Sequence, residues 1–523
     1  MRRLARTALP FVIALVAGLA QALSIAFPFT GQPLWWLQLL SLATLAWLVR
    51  QAATWQRAAA LGWMFAVAWL AGTFWWLFIS MHVYGGLASP LAAIAVLALA
   101  AFVALYYGAA MGAWAAFGHG GAAWRAVLFA AVWLLAELVR ATWFTGFPWG
   151  ATGYAHVDGP LAVLAPLIGV HGIGFVAALA AFGLSLATRP ATLRSWRYWS
   201  VLVAGAGLLA ACNMAVVPVA VTAPQQPALS VALLQGNIPQ DEKFQGGTGI
   251  PAALQWYGEH LRDNRASLVV APETAIPLLP QQLPDGYLQA LRERYERGGQ
   301  AALIGIPLGS LREGYTNSVI GLKPGAAVYR FDKHHLVPFG EFIPPLFRWF
   351  TDLMNIPLGD FNRGPLGQPA FEWQGQRLAP NICYEDLFGE ELGTQFADAA
   401  RAPTILVNLS NIAWFGDSVA IDQHLQISRM RAIEFRRPMI RATNTGATVI
   451  IDHEGRVLRA LPRLTRGVLT GEVQGQTGIT AYAWWVSRFH LWPLWLVGLA
   501  IVGAGWWRTR RSRRSVRPEA SVG

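Results

Sequence analysis

The chain has 523 residues, 55% of them apolar and only 13% charged, against about 25% charged in ordinary soluble domains, and its mean hydropathy is +0.39. That composition excludes a disordered chain, and two cysteines, Cys212 and Cys383, exclude a disulfide scaffold. The net charge of +12 points to nucleic acid only until it is located. Residues 220–487 hold 23 Lys and Arg against 25 Asp and Glu, while the remainder holds 17 Arg against three acids, so the excess flanks the apolar stretches and reads as membrane topology with no nucleic-acid partner.

A span needs about 20 apolar residues. Stretches of that kind fall near 9–26, 34–49, 58–80, 89–115, 124–139, 161–187, 199–217 and 490–507, the second and fifth being short. The first resembles a signal peptide with Arg2, Arg3 and Arg6 as its basic start, but a further span follows it where a cleaved soluble domain would begin. With eight spans, 15 Arg fall on one face: Arg2, Arg3, Arg6, Arg50, Arg57, Arg125, Arg189, Arg194, Arg197 and six in the tail after Arg508 inclusive. The other face has Arg140 and Arg488. This asymmetry predicts cytoplasmic termini, a seven-helix transmembrane domain over 1–218, an outer domain over 219–488, an eighth helix over 489–507 and a basic cytoplasmic tail over 508–523.

At the end of the fifth span, Glu137 and Arg140 are spaced to pair at i,i+3. The aromatic, Gly-rich run from Trp143 to Tyr154 that follows has two readings, an interfacial aromatic belt with a turn or a loop that holds an acyl chain or headgroup. Cys212 lies in the seventh span and reads as packing.

From Leu229 the pattern changes to short β runs at 230–234, 267–270, 302–305, 319–322, 403–407 and 448–451, with amphipathic helices over 251–265, 285–299 and 419–436. Alternation of this kind predicts an α/β layered domain of about 260 residues, enough for a full core. Metal-ligand spacing is missing, since His334 and His335 are adjacent and His424 has no His or Cys near it in sequence.

The candidate chemistry follows strand-like runs. Cys383 comes after Ala379-Pro-Asn-Ile382 and before Tyr384-Glu385-Asp386. A lone Cys is most often a small buried hydrophobe, but two carboxylates within three residues make a plain core strand a poor reading. Lys is scarce, with 37 Arg against Lys243, Lys323 and Lys333, and most of this bias is compositional. Lys323 sits in an ordinary turn, whereas Lys333 lies in a dense mixture of charged and apolar residues running to Glu341. Glu273 follows the run 268–271, at the carboxyl end of a strand where α/β domains place their sites. Base, cation and nucleophile together form a complete set.

Ala-Pro-Glu273, Lys333 and Cys383-Tyr-Glu resemble the Glu–Lys–Cys triad of the nitrilase, or carbon–nitrogen hydrolase, superfamily. More narrowly, the chain resembles the bacterial apolipoprotein N-acyltransferase family, a membrane-bound branch of it. The resemblance extends through Gln235-Gly-Asn-Ile-Pro239, Asn408 to Ser418, Gln423-His424, Arg431 to Glu434, Arg441 to Gly446, and Gly146-Phe-Pro-Trp149 and Gly153-Tyr154 in the apolar half. One departure is visible: the family pattern has a Lys-Trp pair where this chain has Lys243-Phe244, so the aromatic remains but an indole N–H is lost.

The resemblance implies an eight-helix membrane domain joined to an αββα nitrilase-like sandwich on the periplasmic side of the bacterial inner membrane. It implies an acyltransferase, acting as a monomer without a cofactor. Such an enzyme moves an acyl chain from a phospholipid, phosphatidylethanolamine being expected, through a thioester on Cys383 to the N-terminal amine of the diacylglyceryl-cysteine of an apolipoprotein. Glu273 is then the general base and Lys333 an oxyanion donor, with Glu341, Tyr384, Glu385 and Phe244 in supporting positions. The nearest alternative is a membrane-anchored nitrilase-type amidase, for which eight spans are excessive. A transporter fits less well, since ionisable residues in the spans are few.

Overall fold

The computed structural model of the chain describes residues 2–200, 203–205, 207–208, 211, 223–344 and 361–515. Two compact units emerge, one of 1–75, 93–215 and 491–523, the other of 76–92 and 216–490.

The first unit is helical: α1 (Arg2–Ile25), α2 (Trp35–Arg50), α3 (Trp55–Phe74), α4 (Ser89–Phe117), α5 (Ala122–Thr142), α6 (Ala165–Leu186) and, at the far end of the chain, a helix over Trp492–Ser515. Among the described residues, five helical stretches are long and apolar enough to cross a membrane, or six if the bent pair Ala481–Phe489 and Trp492–Arg511 counts as one. The second expected span is a helix of 16 residues, and the expected seventh span, with Cys212, falls largely outside the described residues. The third ends at Phe74, short of residue 80, because Trp76 belongs to the other unit: it is buried there, its indole N–H donates to Gln423 at 3.0 Å and its ring lies 4.2 Å from that of Phe415.

Glu137 and Arg140 hold the loop after α5 and do not pair with each other. Glu137 accepts the backbone N–H of Thr152 at 2.7 Å and stands 4.0 Å from His171, while Arg140 donates to the Tyr107 hydroxyl and to the carbonyls of Phe147 and Trp149. A buried charge needs such partners. The loop thus splits: Trp143 and Phe144 are exposed, Trp149 and Tyr154 buried.

The second unit stacks two six-stranded sheets between helices. Its strands are β1 (Pro224–Gln235), β2 (Leu268–Ala271), β3 (Ala301–Ser310), β4 (Gly314–Leu322), β5 (Tyr329–Asp332), β6 (Phe371–Trp373), β7 (Gln376–Ile382), β8 (Ile405–Ser410), β9 (Met439–Thr443), β10 (Val449–Ile451), β11 (Val457–Ala460) and β12 (Gly467–Gln476). The sheets run β12-β1-β2-β3-β4-β5 and β11-β10-β9-β8-β7-β6. Each has a parallel centre (β1-β2-β3 and β7-β8-β9) and antiparallel flanks.

Period-two alternation builds the layers. Val231, Leu233, Leu268, Val270 and Leu303 face Leu378, Ile405, Val407 and Ile440 of the opposite sheet. Their neighbours Ala232, Leu234, Val269 and Ile304 turn outward to Tyr257, Leu261, Leu291 and Tyr295 of α7 (Gly249–Asp263) and α8 (Tyr287–Arg297). On the other sheet, Leu406, Met439 and Val449 meet Ala432 and Phe435 of α9 (Ala420–Phe435) and Tyr482, Ala483 and Val486 of α10 (Ala481–Phe489). The result is the αββα sandwich that the resemblance implied.

Candidate active site

Strands of both sheets, the parallel β2, β7 and β8 and the edge strand β5, lead into one place. Glu273 lies two residues after β2, Lys333 directly after β5, Cys383 directly after β7 and Asn411 directly after β8. Gly305 of β3 lets the chain around Glu273 pass closely: a Cβ there would stand 2.2 Å from the Pro272 carbonyl and 2.7 Å from Glu273 Cα.

Three donors hold the Glu273 carboxylate. Oε1 accepts from Asn317 Nδ2 at 2.7 Å and Lys333 Nζ at 3.3 Å, and Oε2 from the backbone N–H of Asn411 at 2.8 Å. Glu341 Oε1 shares two of those donors, Asn317 at 2.7 Å and Lys333 at 2.9 Å, and its Oε2 accepts the Val337 N–H. Lys333 is thus pinned between two buried carboxylates. Burial opposes its charge, but Glu341 and Glu273 overcome this and raise its pKa above that of a free lysine.

Cys383 begins the short helix 383–387 at φ +52, a left-handed conformation uncommon outside Gly. Glu385 fixes that turn from below, Oε2 accepting the Ile382 N–H at 2.7 Å and Oε1 the N–H groups of His334 and His335 at 2.7 and 3.2 Å. One carboxyl therefore ties the nucleophile turn to the segment carrying Lys333. Burial pushes Glu385 up to about 7, against the opposing pull of those N–H groups and of Lys333. The Cys383 carbonyl accepts from Asn408 Nδ2 at 3.1 Å and His424 Nε2 at 3.2 Å. His424 is backed by Asp386 at 2.8 Å, and its Nδ1 faces an Arg441 N–H at 3.3 Å, so Nδ1 accepts and Nε2 carries the proton. Cys383 as a residue is partly buried, packed against the core between the sheets. Burial and then the Glu273 charge push its thiol up to about 12, with Lys333 and the Ser410 hydroxyl pulling the other way. It rests as a neutral thiol beside a carboxylate that can take its proton.

Tyr384 is buried, its ring 5.6 Å from His335 and 5.3 Å from Phe388. Phe244 lies outside the carboxylate cluster, half-buried, with the Lys243 ammonium 5.9 Å from its ring. Three participants received no role from motif reading, although Asn411 lies in the Asn408–Ser418 motif and Lys243 in the Lys243-Phe244 pair. Asn317 and Asn411 are an ordinary-looking polar strand residue and loop residue, and Lys243 reads only as the neighbour of an aromatic. Their signal is burial without an apolar side chain, at 3%, 5% and 2% exposure.

Residues 17–183 match the family model described as apolipoprotein N-acyltransferase N-terminal domain, and 230–482 match carbon-nitrogen hydrolase. The chain is 62% identical over 497 residues to an apolipoprotein N-acyltransferase of Verminephrobacter eiseniae, covering 91% of this chain and 92% of that one. It is 49% identical over 453 residues to the protein of that name from Ralstonia nicotianae, covering 86% and 85%. Among solved structures, a CN-hydrolase superfamily protein from Xanthomonas campestris aligns over 51% of the chain and 96% of its own length, at 21% identity and a TM-score of 0.38.

Proposed function

Because the chain belongs to the apolipoprotein N-acyltransferase family, we propose that it transfers an acyl chain from a membrane phospholipid, through a thioester on Cys383, to the N-terminal amine of the diacylglyceryl-cysteine of apolipoproteins. The observation that carries the residue assignment is the meeting of Glu273, Lys333 and Cys383 at converging strand ends.

In the first half-reaction Glu273 takes the thiol proton and the sulfur attacks the ester carbonyl, forming a C–S bond and a tetrahedral oxyanion. Lys333, kept as an ammonium by its two carboxylates, and the backbone N–H of Tyr384 face the charge that develops. When the C–O bond breaks, the departing lysophospholipid oxygen takes the proton from Glu273. In the second, the acceptor amine attacks the thioester, C–N forms, C–S breaks, and the amine proton returns to sulfur by way of Glu273. Glu341 and Asn317 keep base and cation in register, and Glu385 and Tyr384 hold the nucleophile turn. Phe244 offers an apolar face to the substrate.

The remaining expectations belong to the same reading: eight spans, the segments 1–218, 219–488, 489–507 and 508–523, insertion in the inner membrane with the sandwich in the periplasm, phosphatidylethanolamine as donor, and a monomeric enzyme. The distribution of Arg supports the orientation. Mounting the sandwich on apolar helices suits lipid substrates, since an acyl chain drawn into water costs about 0.8 kcal/mol per methylene.

The test is intact mass of the purified protein after incubation with phosphatidylethanolamine, beside Cys383→Ala. A gain of one acyl group, removed by hydroxylamine and absent in the variant, is expected. No adduct on folded wild-type protein would overturn the reading, and ammonia released from small amides would favour the amidase.

A further inference from the structure

Of three lysines in the chain, two lie buried at the site, Lys333 at 1% and Lys243 at 2% exposure, while Lys323 sits in an exposed contact with the Glu372 carbonyl. Lys243 follows β1 on a loop whose backbone is fixed from several sides: its own N–H donates to Pro239 O at 2.9 Å, and Gly249 packs so closely that a Cβ there would stand 2.9 Å from Lys243 Cα. Its ammonium donates to the main-chain carbonyl of Glu273 at 3.2 Å, and the charges it feels most are Glu273 and Cys383. Among the described residues no carboxylate forms an ion pair with it, unlike Lys333, which has two. Among the described residues, the Glu273 carbonyl engages one of its three N–H donors.

The charge count of the cluster gives this placement a meaning. Glu273 and Glu341, both paired with Lys333, carry with it a formal net −1, and Glu385 deepens that deficit wherever it is ionised. A neutral thiol then has to yield an oxyanion in an already negative pocket. With a second ammonium the count over Glu273, Glu341, Lys333 and Lys243 is zero at rest. It stays zero when the proton reaches Glu273 and the charge moves to the tetrahedral oxygen.

We infer that Lys243 is a second cation of the active site, neutralising, together with Lys333, the negative charge that passes from Glu273 to the tetrahedral oxygen in both half-reactions. This rests on the thioester reading above. Burial, its largest influence, pulls Lys243 down to about 8, against Glu273 and Cys383, so holding the ammonium there works against folding and is retained for what the charge does.

The experiment is a time course of thioester formation by intact mass on the full-length protein with phosphatidylethanolamine, for wild type, Lys243→Met and Lys243→Arg, with thermal unfolding of each. Lys243→Met is expected to unfold no earlier than wild type and to acylate about 10²-fold more slowly, within the range seen for loss of an oxyanion donor. Lys243→Arg is expected to recover at least a tenth of the wild-type rate. Wild-type speed in Lys243→Met, or equal slowness in Lys243→Arg with both folded, would overturn the inference. A second readout needs no neutral variant. The charges that act on Lys243 are Glu273 and Cys383, with Lys333 and Glu341 joined to Glu273 in the same cluster and Glu385 anchored to the Lys333 segment; Glu385, held up to about 7, gains its charge below the pH at which Lys243, drawn down to about 8, loses its own. Wild-type acylation is expected to fall above that pH and Lys243→Arg to lack the fall; the same fall in Lys243→Arg would also overturn it. If wild type itself forms no thioester, the failure belongs to the underlying reading.

Discussion

At the scale of single residues the site is a matter of shared donors. Asn317 gives both N–H bonds of one amide to two carboxylates, so removing it releases Glu273 and Glu341 together and leaves buried oxygens short of a partner. Asn317→Ala is expected to slow thioester formation by about 10–100-fold, from the roughly 1–3 kcal/mol of an unmet buried group. The same unmet oxygens destabilise the folded state, so the unfolding temperature should fall by a few degrees as well, which calorimetry beside the rate measurement would check. The same acidic and basic groups set the pH response. Lys243 works in its protonated form and its pKa is lowered to about 8, so its contribution is present below that pH and lost above it. Lys333, raised by its carboxylates, does not share this loss. What the sequence made legible here were residues inside dense local motifs, Glu273, Lys333, Glu341 and Cys383-Tyr384-Glu385. Asn317 and Lys243 gave no such signal, because their meaning lies in partners 44 and 30 residues away.

Elements were legible in proportion to how apolar they are. The runs read as strands at 230–234, 267–270, 302–305 and 319–322 lie within or beside β1 to β4, and the three amphipathic helices correspond to α7, α8 and α9 within a few residues. β5, β9, β11 and β12 escaped because they carry Arg, Thr, Gly or Gln where a plain strand has Val or Ile. In β9, Met-Ile-Arg-Ala-Thr, Arg441 is buried, and its ion pair with Asp386 at 3.8 Å and its bonds to His424 and the Ser428 hydroxyl make that tolerable. Another element-level constraint is the close crossing of β3 under the Glu273 turn. Gly305→Ala would drive a methyl into main-chain atoms that have no rotamer to yield. It is expected to cost about 1–3 kcal/mol in unfolding and at least tenfold in acylation. Full activity in that variant would show that the turn relaxes freely.

On the scale of the whole molecule, charge and apolarity are divided between two units. The sandwich segment is close to neutral and holds the candidate chemistry, whereas the Arg excess surrounds the apolar helices. The expected span count of eight compares with five or six helical stretches that meet the length and composition test among the described residues, since α2 is short and the seventh falls largely outside them. Orientation is tested by fusions: green fluorescent protein joined after Gly523 is expected to fluoresce, and alkaline phosphatase inserted near Leu311, an exposed turn, to be active. The reverse pattern would turn the protein over. Within the helical unit, Arg140 satisfies two loop carbonyls and the Tyr107 hydroxyl at once. Arg140→Met is expected to lower the unfolding temperature in detergent by several degrees, through loss of a buried network rather than of any contact with substrate.

The resting state of Cys383 has a consequence for survival. Peroxides, like alkylating agents, consume thiolates, and a sulfur pushed up to about 12 is ionised only to about one part in 10⁵ at pH 7. In the oxidising space where we propose that it works, a nucleophile kept permanently activated would drift toward sulfenic and then sulfonic acid. A thiol held this high presents little thiolate at rest, so hydrogen peroxide is expected to inactivate the enzyme more slowly than it oxidises free glutathione.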